Sequence, residues 1–357
     1  MAGTRPEIIK VAPIIREILA RKKALFFIHT GQHYDYSLSL QMVSDLNLPK
    51  PNLSFQLTSS SPASQIAEIM KNLEHVLSKK SKKKIVIVQG DTNSVLAAAL
   101  ATVKSGVPLA HVEAGLRSFD WRMPEEHNRR MVDHVSNYLF APTRMSMQNL
   151  LREKVFGRVY VTGNTVIDAV NQHIQIAQKM AGDQLQIPFS EYSLVTFHRS
   201  ENVDDKKVLG RIVKGLLQSE LPVVLPLHPR TNKMLRHFNL IQKLVKSKNV
   251  CVIPPQGYLN FLLLMKHSRL IITDSGGIQE EATAPAISKK VIVLRHSTER
   301  PEAVKAHFAE LIKLKANDIS QAIIKEWSKK RKPVSSSPYG DGFSARRIMN
   351  VLSRFKQ

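Results

Sequence analysis

Residues 84–115 read KIVIVQGDTNSVLAAALATVKSGVPLAHVEAG and contain the repeating unit of an α/β fold. An apolar run, KIVIVQG, is followed by a segment with helical spacing and then by a second apolar run, VPLAHVE. Both runs are mostly apolar instead of alternating with polar residues, as expected for strands buried on both faces. Strands of this kind joined by helices predict a doubly wound parallel sheet.

The same alternation continues along the chain. Further apolar runs are ALFFIHT, NYLFAPT and RVYVTGN, then YSLVTFH, LPVVLPLH, NVCVIPP, RLIITDS and KVIVLRH. Helical spacing gives way to Gly, Pro and Ser in residues 179–193, KMAGDQLQIPFSEYS. Because 357 residues exceed what one core usually supports, we place a domain boundary there. The predicted domains are residues 1–182 and 183–336, followed by a closing amphipathic helix in residues 337–357.

The opening segment, GTRPEIIKVAPIIREIL, reads as a glycine turn that begins a helix, with Pro6 near its first turn. In a doubly wound fold such a turn normally follows a strand, but only Met1 and Ala2 precede it. We therefore expect that the first strand is missing from this sequence or that the start lies upstream.

The composition limits the classes of partner. A net charge of +23 and a pI of about 10.1 favour anions: nucleic acid, a membrane surface or phosphorylated metabolites. The densest basic run, SKKSKKKIVIV, has no aromatic residues between its lysines, which argues against nucleic-acid binding. No apolar run of about 18 residues and no signal peptide is present, so we expect a cytoplasmic protein without membrane insertion. The single cysteine, Cys251, has no partner for a disulfide or a metal site.

Chemically useful side chains follow several predicted strands. Asp91 comes after KIVIVQG, Glu113 ends LAHVE, and His198 follows YSLVTF in the second half. Ligands of open α/β sheets bind outside the carboxyl ends of the strands, so these positions are candidates for a site. The residues alone leave open whether Asp91 only caps the next helix. They also leave open whether His228 of LHPRTN and the glutamine–histidine pair of TGQHYD are binding residues.

The segment IITDSGGIQEEA is a candidate phosphate site. Its small residues Ser275, Gly276 and Gly277 lie between a predicted strand and helix, where backbone N–H groups can face an anion. This arrangement favours a diphosphate, and a carboxylate one turn into the helix could bind ribose hydroxyls. Cations for the same anion are available at three positions, Arg5, Lys10 and Arg300.

These motifs resemble those of the non-hydrolysing UDP-N-acetylglucosamine 2-epimerases. The matching motifs run in order along the chain: GTRPEIIK, TGQHYD, GDTNS, HVEAGLRS, PEEHNR, TGNTVIDA, HRSENVD, PPQGYLNF, TDSGGIQEEA, TERPEAV and SPYGDG. The resemblance implies an α/β fold of GT-B type: two Rossmann-like domains with a cleft between them, UDP bound by the second, and a C-terminal helix returning to the first. It also implies a homodimer that interconverts UDP-N-acetylglucosamine and UDP-N-acetylmannosamine. No cofactor and no metal are expected.

The resemblance assigns roles to individual residues. It implies three essential acidic positions, Asp91, Glu113 and Glu125, and places His198 near the diphosphate. The implied contacts to the UDP-sugar are Arg5, Lys10, Gln256, Phe261, Ser275, Gly276, Gly277, Glu281 and Arg300. The implied reaction removes the proton at sugar position 2 and eliminates UDP to give 2-acetamidoglucal, which then takes UDP back with the proton on the opposite face. The sequence leaves open which carboxylate removes the proton.

Departures from the family pattern leave other functions open. The segment EEATAPAISKKVIVLRHSTERPE is slightly longer than usual and has His296 in place of an aspartate, which could shift Arg300. The segment between Glu113 and Glu125 is slightly shorter than in some relatives. The alternatives are a hydrolysing epimerase, a glycosyltransferase of the same architecture, and a catalytically silent protein that binds nucleotide sugars or polyanions.

Overall fold

The structure, a computed structural model, describes residues 1–31, 36–59, 61–78, 84–180, 186–329 and 336–354. The glutamine–histidine pair of TGQHYD and most of the lysine run SKKSKKK lie outside these described residues. The strands are β1 (Ile28–His29), β2 (Leu53–Ser54), β3 (Val86–Gln89), β4 (Leu109–Val112), β5 (Tyr138–Ala141), β6 (Arg158–Val161), β7 (Ser193–Thr196), β8 (Val223–Pro226), β9 (Val250–Ile253), β10 (Leu270–Thr273), β11 (Val291–Val293) and β12 (Ala309–Leu311).

The helices alternate with these strands along the chain. They are α1 (Arg5–Ala20), α2 (Tyr36–Asp45), α3 (Pro62–Leu77), α4 (Asn93–Lys104), α5 (Pro124–Val135), α6 (Arg144–Arg152), α7 (Thr165–Met180), α8 (Ser200–Val203), α9 (Lys206–Gln218), α10 (Pro229–His237), α11 (Ile241–Val245), α12 (Tyr258–His267), α13 (Gly276–Glu281), α14 (Pro301–Lys305), α15 (Ala316–Ser328) and α16 (Ser344–Leu352). In the described residues, no helix is both long enough and apolar enough to cross a membrane.

The chain divides into two compact units. Unit 1 comprises Met1–Ala169 and Tyr339–Gln357, and unit 2 comprises Val170–Pro338. The first division lies inside α7, N-terminal to the break that the composition suggested, because the two ends of this helix have different partners. Asp168 accepts backbone hydrogen bonds from residues 344 and 345 of unit 1, whereas the His173 ring packs edge-on against Tyr258 of unit 2.

Unit 1 contains a four-stranded parallel sheet, β3-β4-β5-β6, and the short parallel pair β1-β2. Its alanine-rich helix α4 packs between α3 and α5, and Ala97, Ala98 and Ala99 are all buried there. Helix α16 packs on α1, where Ile348 is fully buried against Ile14 and Phe140. Burial of one such side chain contributes about 1.5–3 kcal/mol to the attachment of the C-terminal segment to this unit.

The first two residues of the chain take part in the sheet of unit 1. Ala2 forms a parallel bridge with His29, and its N–H donates to the Ile28 carbonyl oxygen at 3.1 Å. On the other side, the Met1 amino group donates to the Ile87 carbonyl oxygen at 2.9 Å. Residues 1 and 2 thus contact both β1 and β3, at the position where the α/β pattern predicts a strand before α1.

Unit 2 contains one six-stranded parallel sheet in the order β12-β11-β10-β7-β8-β9. Its core joins the inward faces of the strands to α9 and α15, which pack together. The segment that is longer than the family pattern forms turns after α13, and β11 still pairs with β10 through Ile271 and Val291. The extra length is therefore absorbed before the strand that leads to Arg300.

Candidate active site

Asp91 and Glu113 follow two neighbouring strands of unit 1. In the β3–β4 pair, Gln89 lies opposite Val112, and the Gly90 N–H donates to the Val112 carbonyl oxygen at 3.1 Å. Parallel strands end at the same edge of a sheet, so both carboxylates leave the sheet at its carboxyl edge. The structure therefore brings the loops of these two acidic residues together, as expected for ligand-binding positions.

Glu113 has an unusual backbone conformation and accepts several hydrogen bonds. Its φ is +71°, in the left-handed region that residues other than glycine rarely occupy. The carboxylate accepts hydrogen bonds from Lys10 Nζ at 2.7 and 2.9 Å and from Gln89 Nε2 at 2.7 Å. The residue is only 7% exposed. Strained conformations of this kind cluster at functional sites, so the backbone supports a role for Glu113 independently of its motif.

Asp91 is held by helix α5. Its Oδ2 accepts hydrogen bonds from Arg129 Nη2 at 2.5 Å and Nε at 3.1 Å, and its backbone oxygen accepts one from Asn128 Nδ2 at 2.9 Å. The N-cap of α4 is Thr92, whose hydroxyl accepts from the Val95 N–H. This answers the question that the sequence left open, because Asp91 does not cap the helix.

Buried ion pairs lie behind these loops. Glu126 is fully buried and accepts hydrogen bonds from Ser118, Arg129 and Arg130. Burial by itself would raise the pKa of Glu126, but the hydrogen bonds from Ser118 and the charge of Arg129 lower it below its ordinary value. Glu126 and its arginines thus hold the loop that connects β4 to α5. Sequence reasoning missed that Arg129 also reaches Asp91.

His111 connects the same region to β4. Its Nδ1 lies 2.7 Å from Asp133 Oδ1, and its Nε2 lies 2.8 Å from the Gly90 carbonyl oxygen. Asp133 also accepts from Arg117 at 2.8 Å, and all three side chains are fully buried. The His111 ring therefore fixes the glycine that immediately precedes Asp91.

Glu7 ties the opening motif to the Asp91 loop. Its carboxylate accepts from Thr92 Oγ1 at 2.5 Å and from the Gly3 N–H at 2.6 Å, and burial raises its pKa. The sequence carried a signal for this residue, because Thr4 and Glu7 have the spacing of a capping box. Of the other predicted residues, Arg5 is exposed at the start of α1 and Glu125 is exposed in the first turn of α5.

In unit 2, Asp274 organises the loop that carries His198. It is fully buried and accepts hydrogen bonds from the backbone N–H groups of His198 and Arg199 and from Asn202 Nδ2. The His198 ring stacks on His228, with ring centroids 4.8 Å apart. The structure thus places His228 beside His198. Asp274 was missed from the sequence, although it immediately precedes the S-G-G segment.

Ser275, Gly276 and Gly277 begin α13 beside a cluster of arginines. Glu299 accepts from Arg199 at 3.0 Å and from Arg295 at 2.5 Å, and a Cβ atom placed on Gly276 would lie 3.1 Å from Glu299 Oε1. Burial by itself would raise the pKa of Glu299, but the charges of Arg300, Arg295 and Arg199 lower it to about 2. Cationic side chains are therefore concentrated next to the predicted phosphate segment.

The remaining predicted binding residues also lie in unit 2. Arg300 is 8% exposed, and its Nε lies 2.6 Å from Oε1 of the fully buried Glu280. Glu281 is half-buried. Burial of the Tyr258 hydroxyl raises the pKa of Tyr258, and the negative charge of Glu281 raises it further. Gln256 donates to the Pro254 carbonyl oxygen at 2.9 Å, and Phe261 is half-buried in α12.

Comparison with known proteins identifies the family. The profile of the UDP-N-acetylglucosamine 2-epimerases matches residues 16–353. The chain belongs to this family. It is 42% identical to the UDP-N-acetylglucosamine 2-epimerase of Methanocaldococcus jannaschii over 98% of this chain and 97% of the relative. It is also 38% identical to a UDP-2,3-diacetamido-2,3-dideoxy-D-glucuronate 2-epimerase of Pseudomonas aeruginosa, over 85% of this chain and 84% of the relative.

Solved structures agree with the sequence relatives. The crystal structure of the Methanocaldococcus jannaschii UDP-GlcNAc 2-epimerase in complex with UDP-GlcNAc and UDP superposes with a TM-score of 0.85 at 41% identity, covering 99% of this chain and 98% of that one. The predicted family and the predicted fold class, α/β of GT-B type with two Rossmann-like units, are confirmed. The individual roles of the site residues stay predictions.

Proposed function

We propose that the protein interconverts UDP-N-acetylglucosamine and UDP-N-acetylmannosamine by inverting sugar position 2. The observation that carries the proposal is the pair of acidic residues at neighbouring strand ends, Asp91 and Glu113, each with a cationic partner, in a chain of this family. A relative that is 42% identical is named for this epimerisation. The solved structure of a relative carries UDP-GlcNAc and UDP, which supports the same substrate.

The proposed chemistry balances without an oxidant. A carboxylate removes the proton from carbon 2, the electron pair forms the C1–C2 double bond, and the C1–O bond breaks as UDP leaves with its electrons. In the return step UDP adds to carbon 1 of the 2-acetamidoglucal, and a carboxylic acid delivers a proton to the opposite face of carbon 2. Asp91, Glu113 and Glu125 are proposed to share these proton transfers, because carboxylates can act in turn as base and acid.

Unit 2 is proposed to hold the UDP group. The S-G-G segment would offer backbone N–H groups to the diphosphate, with His198 and Arg300 supplying side-chain donors and Glu281 accepting from the ribose. Gln256 and Phe261 would contact the uracil. Arg5 and Lys10 of unit 1 complete the proposed set, and in the structure Lys10 compensates the Glu113 carboxylate. No cofactor or metal enters this scheme.

A single experiment tests the proposal. The protein is incubated with UDP-N-acetylglucosamine in deuterated water, and the sugar is followed by proton NMR. Deuterium at position 2 together with accumulating UDP-N-acetylmannosamine supports epimerisation. Free sugar with stoichiometric UDP would instead indicate the hydrolysing epimerase, and UDP binding without turnover would indicate a silent protein.

A parallel incubation tests which UDP-sugar the protein prefers. One relative acts, by its name, on UDP-2,3-diacetamido-2,3-dideoxy-D-glucuronate, which differs from UDP-N-acetylglucosamine at sugar positions 3 and 6. We expect turnover of UDP-N-acetylglucosamine to be the faster of the two. If only the glucuronate derivative exchanges at position 2, the proposed reaction stands, but its substrate is that derivative instead of UDP-N-acetylglucosamine.

We also infer a homodimer and a cytoplasmic location. Two exposed apolar side chains on unit 1, Phe119 and Trp121, both lie beside the Arg130 guanidinium and support association, since large apolar side chains grouped on a surface often mark an interface. Light scattering coupled to size-exclusion chromatography should give twice the mass of one chain, which is 40.2 kDa. Cell fractionation tests the location.

A further inference from the structure

Arg129 links two carboxylates with one guanidinium group. Its Nη2 and Nε donate to Asp91 Oδ2, and its Nη1 donates to Glu126 Oε2 at 3.0 Å. The Arg129 side chain is only 6% exposed, and that of Glu126 is fully buried. A planar guanidinium bound on two edges has little freedom to rotate, so the Asp91 oxygen that it contacts is held in one position.

Glu126 is a fixed anchor for this arginine. Besides Arg129 it accepts from the Ser118 N–H at 2.8 Å, the Ser118 hydroxyl at 2.9 Å and Arg130 Nε at 3.0 Å. The helix that carries Arg129 is also attached directly to the Asp91 loop, because Asn128 Nδ2 donates both to the Asp91 backbone oxygen and to Asn93 Oδ1. The position of Arg129 relative to Asp91 is therefore set by several independent contacts.

The two oxygens of Asp91 differ in their surroundings. Both donors from Arg129 go to Oδ2, and within the described part of the chain Oδ1 has no hydrogen-bond donor. The Asp91 side chain is 29% exposed, unlike the carboxylates of Glu113 and Glu126. One oxygen of this partly exposed side chain is thus held by a cation, while the other receives no hydrogen bond from the described residues.

We propose that Arg129 is a positioning residue for the epimerisation: it fixes Asp91 through Oδ2 so that Oδ1 faces the sugar proton, and Glu126 holds Arg129 in place. This inference rests on the proposed function, in which Asp91 takes part in proton transfer. Arg129 itself need not touch the substrate. Misplacement of a reacting group by about 1 Å can cost about 100-fold in rate, so the loss should appear in kcat.

The neighbouring arginine provides a matched control. Arg130 contacts the same anchor, Glu126, and also Glu153 Oε1 at 2.7 Å, but its guanidinium stacks over Trp121 and makes no contact with Asp91. A substitution at Arg130 also removes one cationic partner of the buried Glu126. It should not change the orientation of Asp91.

The test compares Arg129→Gln, Arg129→Lys and Arg130→Gln with the wild type. For Arg129→Gln we expect kcat to fall about 100-fold, with KM and UDP affinity nearly unchanged, because only the reacting group is displaced. Arg129→Lys should recover part of kcat, since one ammonium can reach Asp91 but cannot bridge both carboxylates. Arg130→Gln should keep kcat close to that of the wild type.

A second pair of variants keeps the proposal testable if Arg129→Gln does not fold. Glu126→Gln/Arg129→Gln removes both charges, so no buried carboxylate is left without its cation; its melting temperature is measured with its kcat. Arg129→Ala is assayed with added guanidinium ion, which should raise its kcat but not that of Arg130→Ala. Equal losses at positions 129 and 130, or a loss confined to KM, would overturn the positioning role.

One further variant separates this proposal from the function on which it rests. If Asp91→Asn exchanges deuterium at the wild-type rate, Asp91 has no part in proton transfer and the positioning role of Arg129 fails, while the epimerisation itself stands; only a wild-type protein that exchanges no deuterium contradicts the proposed function. If Asp91→Asn is inactive while Arg129→Gln keeps the wild-type kcat, the role of Asp91 stands and only the role of Arg129 is wrong.

Discussion

The two units share a parallel α/β architecture but distribute charge differently at the ends of their strands. In unit 1, each strand-end carboxylate has a cationic partner, Lys10 for Glu113 and Arg129 for Asp91. In unit 2, arginines gather around Glu299 beside the S-G-G segment. One arrangement suits carboxylates that exchange protons, and the other suits the binding of an anion. The comparison shows how one type of loop position can serve two kinds of chemistry.

The backbones of the two sites also differ in how tightly they are packed. Around Glu113 the chain is strained and tightly packed: Gly115 has a φ of +81°, and a Cβ atom there would lie 2.3 Å from the Ser146 carbonyl oxygen. Around Gly277 there is space, because its nearest such contact is the Ser275 hydroxyl at 3.9 Å. A rigid frame suits groups that must be positioned, and open space beside backbone N–H groups suits a bound diphosphate.

Neutralising the strand-end carboxylates of unit 1 should remove most of the activity. We expect Asp91→Asn and Glu113→Gln to lower deuterium exchange by about 1,000-fold, within the range of about 10²–10⁴ that acid–base catalysis supplies. UDP binding, measured by calorimetry, should remain. Asp120→Asn serves as the control, since Asp120 is an exposed carboxylate of the same unit that pairs with Arg122. Wild-type exchange in either strand-end variant would contradict the assignment.

The corresponding change in unit 2 should weaken the binding of UDP instead of slowing the proton transfer. For Arg300→Gln we expect UDP affinity to fall about 10- to 100-fold, the loss of one to two charge-assisted hydrogen bonds. Because this change leaves the buried Glu280 without its 2.6 Å partner, Glu280→Gln/Arg300→Gln is measured in parallel. The exposed Arg230, paired with Asp204, provides the control Arg230→Gln. Unchanged UDP affinity in both Arg300 variants would show that Arg300 does not bind UDP.

Two glycine substitutions test the difference in backbone rigidity. Gly115→Ala should destabilise the protein by about 2 kcal/mol or more, because the added Cβ meets a backbone oxygen at a positive φ. Gly277→Ala should leave the unfolding midpoint unchanged or slightly raised, since space is available, but should weaken UDP binding if the diphosphate approaches that backbone. Thermal unfolding with and without UDP measures both effects. Equal melting temperatures for the two variants would contradict the contrast.

The smallest expected effect concerns acid stability. The pKa of Glu299 is lowered from 4.5 to about 2, so its contribution is complete above about pH 4.5 and is lost as the pH falls toward 2. The difference in melting temperature between the wild type and Glu299→Gln should therefore shrink over that interval. Scanning calorimetry from neutral pH downward measures it, with the exposed Glu220→Gln as the control. A difference that stays constant with pH would show that Glu299 acts only through packing.

Much of the fold follows from local patterns. Apolar runs such as KIVIVQG and VPLAHVE predicted strands that are mostly buried, because a strand covered on both faces carries few polar residues. The family was predicted from the order of the motifs along the chain. The S-G-G segment was correctly placed between a strand and a helix, since its small residues and position are local features.

The partners of the charged residues could not be predicted in the same way. Lys10 and Glu113 are 103 positions apart in the chain, and Arg129 and Asp91 are 38 apart. Their pairing depends on how α1 and α5 pack beside the sheet. Likewise, no local pattern distinguished Glu126, which is fully buried, from Glu125, which is exposed.

Most of the strands, the family and the candidate acidic positions follow from neighbouring residues, although the short strands β2 and β12 were not predicted. The folded structure was needed to show that Thr92 caps α4 in place of Asp91, that Glu7 joins two loops, and that Arg129 holds one oxygen of Asp91. The physical reason is that a charge takes its role from the groups the folded chain brings within hydrogen-bond distance. Those groups come from distant parts of the sequence.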